Sequence, residues 1–99
     1  MQHYAKTQFI IDNLSFHPFT PTIRCNNIVF KNTGTQTIYI RTDPVDATTQ
    51  DTLLPGDQED LNFPNRHARD TAWRFDTGLN VLWAQASAGN GTMIVTQLE

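Results

Sequence analysis

Several features that define other protein classes are missing from this sequence. It has a single cysteine, Cys25, so no disulfide can form within the chain and the fold must be stable without one. No apolar run approaches the ~18 residues that cross a bilayer, and the N-terminus lacks the charged-then-apolar pattern of a signal peptide. These absences predict a soluble protein made in a reducing cytoplasm, with Cys25 as a small buried core residue.

Basic residues are also scarce. Lys and Arg number 7 against 10 Asp and Glu, which gives a net charge of −3. This balance offers no general attraction to nucleic acid or to an anionic membrane, so neither is a predicted partner. The one basic cluster lies between Arg66 and Arg74. We expect Arg66, Arg69 and Arg74 to form salt bridges with the acidic stretch 43–60, within the chain or across an interface.

The sequence contains no recognisable catalytic motif. The histidines His3, His17 and His67 are far apart, and no G-x-S-x-G, H-E-x-x-H, Walker or G-x-G-x-x-G pattern occurs. The acidic stretch 43–60 could offer oxygen ligands to Ca²⁺, but its spacing differs from an EF-hand loop and it has no glycine at the required turn. The sequence therefore predicts a protein that is not an enzyme, holds no cofactor or metal, and has a solvated acidic loop.

What the sequence does contain is a repeated β-strand pattern. Residues 27–42 comprise two runs of β-branched and aromatic residues around the polar turn 32–35, and residues 79–98 repeat this pattern around the turn 88–91. Such runs suit a pleated surface, and the turns contain the Asn and Gly that tight reversals need. We interpret each stretch as a β-hairpin. The run from residue 79 is apolar on both faces at its start, which predicts a central strand that is covered on both sides or lies at a subunit contact.

The fold class follows from the number and spacing of these runs. At 99 residues the chain is long enough for one domain. Further strands are predicted at residues 8–11 and 72–75, with a short edge strand at 52–56 that stops at Pro55-Gly56. With six to eight strands, the sequence predicts an all-β fold, a small antiparallel β-sandwich or jelly-roll-like barrel.

The N-terminal residues differ from the rest. Residues 1–25 are predicted to form an extended N-terminal arm with one possible strand, or equally a first strand followed by a surface loop, and residues 26–99 a single β-sandwich domain. The segment SFHPFTP has two prolines among aromatic residues, which favours an extended path. Because Phe9, Phe16 and Phe19 are costly to leave in water, we expect the arm to pack on its own sheet or on a neighbouring subunit. These three residues are candidate interface residues.

The two tryptophans are the other candidates for binding. Trp83 lies in a predicted central strand, and we expect it to be a core residue. Trp73 stands between a small residue and an arginine, so it is a candidate interface residue. An exposed tryptophan could also stack on the C–H face of a sugar ring.

The order of these patterns resembles the small β-sandwich structural proteins of tailed-phage virions. In that family a strand ends in K-N-x-G, the next carries I-Y-I, a P-G turn precedes a polar strand, and a W/Y-A-x-A-S pattern leads into the terminal strand. The matching segments here, within residues 27–98, read IVFKNTGTQTIYIRTD, LLPGDQEDL and NVLWAQASAGNGTMIVTQLE. Residues 1–25 and 64–78 match no part of the pattern.

The resemblance implies a virion structural protein, made in the host cytoplasm. The expected role is that of a capsid decoration, or cement, protein that binds the outer surface of the major capsid protein shell and stabilises it, as a homotrimer. The arm would hold it in place, and the acidic loop would orient it against basic capsid patches. The alternatives are a head–tail connector or tail or fibre component, and a carbohydrate-binding module with Trp73 or Tyr39 exposed.

Overall fold

The computed structural model describes residues 4–62 and 75–98, which form two antiparallel four-stranded sheets packed face to face. Sheet A has the strand order β1-β8-β3-β6, and sheet B has the order β2-β7-β4-β5. The eight strands are, in chain order, β1 (Tyr4–Asp12), β2 (His17–Phe19), β3 (Asn27–Asn32), β4 (Ile38–Arg41), β5 (Asp51–Leu53), β6 (Gln58–Asn62), β7 (Leu82–Ala86) and β8 (Asn90–Leu98). The all-β prediction is confirmed. Across the two described ranges, no helix has the length and apolar character needed to cross a membrane.

The strands pair in a nested pattern. β1 pairs with β8, β2 with β7, β3 with β6 and β4 with β5, all antiparallel. Successive pairs lie alternately in sheet A and sheet B, as in a long folded ribbon that has been rolled up. This arrangement is the jelly roll, so it is the second of the two predicted architectures that the chain adopts.

Neither of the two stretches predicted as β-hairpins forms a β-hairpin. The strands fall where the sequence predicts them, but β3 belongs to sheet A and β4 to sheet B, and likewise β7 belongs to sheet B and β8 to sheet A. The turns that follow β3 and β7 therefore cross from one sheet to the other. The hairpin interpretation is wrong because Asn and Gly indicate where a chain reverses, whereas the sheet that receives the next strand depends on long-range packing. The prediction of a central strand is confirmed, since β7 lies between β2 and β4.

The core lies between the inner faces of the two sheets. Edge-to-face aromatic contacts cross it, with ring centroids 5.7 Å apart for Phe9 and Phe19 and 5.5 Å apart for Phe19 and Phe30. Such pairs add about 0.5–1.5 kcal/mol to the effect of burial. Cys25 is fully buried in the same cluster, which confirms its prediction as a core residue.

The N-terminal segment predicted as an arm is instead part of the sandwich. β1 pairs with β8 along all nine of its residues, and β2 pairs with β7. Pro18 favours an extended backbone, as expected. The extended N-terminal segment forms an edge strand in each sheet, because the core needs the apolar side chains that these strands carry. Residues 4–25 and the chain from residue 26 onward thus share one core.

A buried asparagine holds the crossing from β3 to β4. Asn32 is fully buried, and its Nδ2 donates hydrogen bonds to the backbone oxygens of Gln36, at 2.8 Å, and of Leu53, at 2.9 Å. Its Oδ1 accepts a hydrogen bond from the backbone N–H of Gly34 at 3.1 Å. Regular strand pairing is interrupted where the chain leaves one sheet for the other, so some of its backbone groups need side-chain partners. Asn32 supplies these partners and ties β3 in sheet A to β5 in sheet B.

A buried glutamine does the same for the connection from β2 to β3. Gln97, on the inner side of β8, accepts a hydrogen bond from the backbone N–H of Thr22 at 2.8 Å and donates to Thr22 Oγ1 at 3.0 Å. The side chain thus pairs with both the backbone and the hydroxyl of one loop residue. It positions the loop against the end of sheet A.

The crossing from β7 to β8 depends on a glycine. A Cβ atom at Gly91 would lie 3.0 Å from Cγ1 of Ile38 and 3.2 Å from Cβ of Ala86. Both neighbours belong to sheet B, so any side chain here would push the two sheets apart. Gly91 therefore marks the closest approach of the β8 backbone to the opposing sheet.

We expect Asn32→Ala to lower the free energy of unfolding by about 2–3 kcal/mol, because it removes one buried and two partly buried hydrogen bonds to the backbone. Chemical denaturation followed by circular dichroism measures this. Asn26→Ala is the matched control, since Asn26 is exposed and its substitution should cost less than about 0.5 kcal/mol. Equal losses for both variants would contradict the role of Asn32.

A second expectation concerns the N-terminal strands. Deletion of residues 1–20 removes an edge strand from each sheet together with Phe19, so the remainder should show no cooperative thermal transition. A truncated chain that melts cooperatively would show that β1 and β2 are dispensable for folding.

Candidate functional site

The outward side of sheet B concentrates aromatic side chains around an arginine. Residues directly opposite in paired antiparallel strands project to the same face, so the register defines which side chains share it. Trp83 on β7 lies between Pro18 on β2 and Arg41 on β4, and Tyr39 lies opposite Gln85 in the next row. We call this surface the aromatic face. Its members are Phe16, Pro18, Tyr39, Arg41, Trp83 and Gln85.

The alternation of apolar residues along β4 and β7 explains why these side chains point outward. Ile38 and Ile40 are buried on the inner side of β4, which leaves Tyr39 between them on the outer side. In β7, Leu82 and Ala84 are buried on the inner side, so Trp83 between them projects outward. Both aromatic side chains are half-buried, so each keeps part of its ring available to a partner.

Arg41 connects the parts of this face. Its Cζ lies 4.2 Å from the centroid of the Phe16 ring, a cation–π contact of the kind worth about 0.5–1 kcal/mol at exposed sites. Its Nε donates to Oε1 of Gln50 at 3.0 Å, and its Nη1 donates to the backbone oxygen of Pro44 at 2.9 Å. The guanidinium therefore joins the segment before β2 to the loop between β4 and β5. This network fixes the Phe16 ring on the sheet.

The predicted interface residues fall into three groups. Phe9 and Phe19 contribute to the core of their own sandwich. Phe16 is half-buried on the aromatic face. The remaining predictions, Arg66, Arg69 and Trp73, lie outside the described residues. Of the three predicted residues that lie within the described ranges, Phe16 is on the aromatic face.

The sequence-based prediction gives Arg41 no interface role, and it leaves open whether the run that contains Trp83 is covered on both sides or lies at a subunit contact. Trp83 was expected in the core, yet it lies on the outer side of β7 because its neighbours Leu82 and Ala84 take the inner positions. Arg41 continues the alternation of the preceding Ile-Tyr-Ile run, which is the signal that places it outward. The contact of Arg41 with Phe16 has no signal in the sequence, because the two residues meet only through the pairing of their strands with β7.

The acidic loop uses several of its carboxylates for local structure. Oδ1 of Asp46 accepts hydrogen bonds from the backbone N–H and the hydroxyl of Thr48, at 3.0 and 2.6 Å, and so caps the short 3-10 turn Ala47–Thr49. These bonds, led by the hydroxyl contact, lower the pKa of Asp46 below its ordinary value. Asp57 accepts a hydrogen bond from the backbone N–H of Leu54 at 3.1 Å and fixes the next turn. Orientation of the protein by this loop against a basic capsid surface stays a prediction.

A small cleft opens at the side of the sandwich between β5 and β6. It encloses about 20 Å³, and Asp51 and Glu59 are among its lining residues. Burial, followed by the nearby charges of Asp51 and Asp60, raises the pKa of Glu59 above its ordinary value. Since a volume of this size holds about one water molecule, the cleft is too small for an organic substrate. In the part of the chain that the structure describes, no three His, Cys, Asp or Glu side chains are grouped to hold a metal ion.

A histidine–carboxylate pair joins the edges of the two sheets. Nε2 of His17, at the start of β2, lies 2.7 Å from Oδ1 of Asp12, at the end of β1. The pKa of Asp12 is lowered, chiefly by the hydrogen bond from His17 and then by that from the backbone of Leu14. Both side chains of the pair are more than a third exposed, which suits a surface link between β1 and β2.

Comparison with known proteins assigns no relative to this chain. No family model matches the sequence, no curated protein matches it significantly, and no solved structure does so either.

We expect Glu59→Gln to stabilise the protein at neutral pH. Because the folded-state pKa of Glu59 is raised, the folded state holds this proton more tightly than the unfolded state, and stability falls as the pH rises through and above 4.5. Removing the charge at pH 7 should raise Tm by roughly 1–3 °C, since repulsion at a partly exposed site is screened by solvent. Thermal melts of both proteins at pH 7 and pH 3.5 measure this. The benefit should vanish at pH 3.5, and a benefit that persists there would contradict the electrostatic cause.

Proposed function

We propose that this protein is a non-enzymatic virion structural module, a capsid decoration protein that adheres to the shell through its aromatic face. The observation that carries the proposal is the outward projection of Trp83, Tyr39 and Arg41 from one flat sheet surface. Trp, Tyr and Arg are the residue types most enriched in the energetic hot spots of protein interfaces. Their grouping on one face supports binding to another protein.

In residues 4–62 and 75–98, the cleft that the structure describes favours adhesion over small-molecule chemistry. The cleft beside Glu59 encloses about 20 Å³, whereas sites for organic ligands typically measure about 300–1,000 Å³. The aromatic face is built on hydrogen-bonded strands and braced by the contacts of Arg41. A braced surface loses little conformational entropy on binding, which favours affinity.

The assignment to a virion has a different basis. Jelly rolls occur in viral capsid proteins, and also in lectins and cupins, so this architecture alone does not define a function. We choose the virion class because segments within residues 27–98 resemble structural proteins of tailed-phage virions. The major capsid protein is accordingly the proposed partner.

The proposed mechanism is mechanical. Each bound copy adds contacts that must break before neighbouring capsid subunits can separate, and repetition over a lattice converts modest contacts into strong overall attachment. Phe9 and Phe19 pack in the core of the sandwich. We therefore assign the contact with the capsid to the aromatic face instead of the predicted N-terminal arm. Phe16 is the member of the predicted arm that retains this role.

A carbohydrate-binding module is the second candidate. Tyr39 and Trp83 occupy adjacent rows of the aromatic face and could stack on the C–H face of a sugar ring. Glycan binding that is lost in Trp83→Ala would support this function, whereas absence of binding to a broad glycan array would count against it.

We expect Tyr39→Ala to weaken attachment to shells by about tenfold or more, since truncation of a hot-spot residue commonly costs at least about 1.4–2 kcal/mol. The probe is the shell of the source phage, purified after deletion of the gene for this protein, and attachment is measured by co-sedimentation over a range of protein concentrations. Trp83→Ala should have a similar or larger effect.

Tyr4→Ala is the matched control for that measurement. Tyr4 is the other tyrosine of the chain, and it projects from the outer side of sheet A. Its substitution should leave attachment within about twofold of the wild-type value. Loss of attachment in both tyrosine variants, or absence of the protein from purified particles by mass spectrometry, would refute the proposal.

A further inference from the structure

β1 forms a long open edge of sheet A. It has nine residues and pairs with β8 on one side, and in the described part of the chain no strand pairs with its other side. We call this other side the β1 edge. Backbone N–H and C=O groups along such an edge can pair with a further strand, so natural proteins normally shield long edges.

The other three edges of the sandwich are shielded. β2 and β5 are three residues long, β2 contains Pro18, and Pro55 follows β5 closely. β6 carries Glu59 and Asp60, and adjacent acids on an edge repel a second copy. β1 contains no proline, and its pairing with β8 continues without a bulge. Its length and regularity set it apart from the other edges.

We propose that the β1 edge pairs antiparallel with the β1 edge of a second copy of this chain, about a two-fold axis at Phe9. In this register Lys6 lies opposite the partner's Asp12, and Asp12 lies opposite the partner's Lys6. Opposite charges directly across an antiparallel pair are favourable, and the two-fold axis produces the contact twice. This self-complementary spacing of charges identifies the occupant as a second copy.

The apolar residues on the same side of β1 favour the same register. Ile10 is 61% exposed, so a large aliphatic side chain lies in water on this side of β1. With the axis at Phe9, Ile10 lies opposite the partner's Gln8 and diagonally adjacent to the partner's Ile10, so the two side chains can shield each other from water. Moving the axis to Gln8 would place Lys6 opposite the partner's Ile10 and separate the charges from each other.

This contact specifies a dimer. A two-fold interface closes after two chains, and it would join the two copies of sheet A into one continuous sheet. A dimer replaces the homotrimer that the resemblance implies. Because the contact uses an edge of sheet A, it leaves the aromatic face on sheet B free, so this inference does not depend on the proposed function.

The test is the oligomeric state of the full chain, measured by analytical ultracentrifugation over a wide concentration range. The wild-type protein should be a concentration-dependent dimer. Lys6→Glu places two carboxylates opposite each other twice and should raise the dimer Kd about tenfold or more. Ile10→Lys should have a comparable effect.

Lys31→Glu is the matched control. Lys31 also projects from the outer side of sheet A, but its strand β3 lies between β8 and β6, away from the edge. The charge change is identical, so Lys31→Glu should leave the dimer Kd within about twofold. A wild-type protein that stays monomeric at its highest soluble concentration, that forms a trimer, or that responds equally to both lysine variants would overturn the proposal.

Hydrogen exchange gives a second readout that locates the contact. Amides of β1 should become more protected as the protein concentration rises, and those of β5 and β6 should not. Concentration-dependent protection at β5 or β6 instead of β1 would place the contact on a different edge and overturn the assignment.

Discussion

The structure depends on satisfying the backbone where the chain passes from one sheet to the other. Among the described strands, every successive pair except β4 and β5 lies in different sheets, so regular strand pairing is interrupted at each crossing. Burial of an unpaired backbone group would cost more than a typical hydrogen bond contributes. The buried amides of Asn32 and Gln97 remove that cost, because each pairs with groups of a crossing segment. Gly91 solves the complementary steric problem, since its missing side chain lets β8 approach sheet B.

The same crossings create the proposed binding surface. Phe16 precedes β2 and Arg41 ends β4, and these two strands flank β7, so the contact between the two residues spans the outer side of the central strand. Arg41 also bonds to the loop after β4, which braces the surface from its other end. Side chains that are remote in sequence therefore converge on one face through the nested pairing. This arrangement presents Trp83 and Tyr39 on a rigid support and not on a mobile loop.

The sequence indicates which side of a strand each side chain faces, but it says much less about which strands pair with one another. Alternation at Ile38, Tyr39 and Ile40 predicts a strand and also which side chain points outward, because successive residues of a strand face opposite ways. The same alternation would hold in a hairpin or in a crossing, so it could not reveal that β3 and β4 belong to different sheets. Asn32 illustrates the limit: its type predicts a turn, but only the assembled sandwich shows that its amide is fully buried and bonded to β5. The Phe16–Arg41 contact was unpredictable for the same reason.

The β1 edge and the aromatic face differ in chemistry. This difference allows the edge to pair with a second copy while the face attaches to another protein. Proline at β2 and acids at β6 oppose strand addition, whereas the β1 edge has charges of both signs spaced for self-pairing. The aromatic face relies on side chains of sheet B and needs no free backbone groups. A dimer formed along β1 would carry two aromatic faces, one from each copy. Engagement of both faces by a repeating surface would make the second attachment intramolecular, so even weak contacts at Trp83 and Tyr39 would combine into durable binding if the spacing of the two faces matches the repeat.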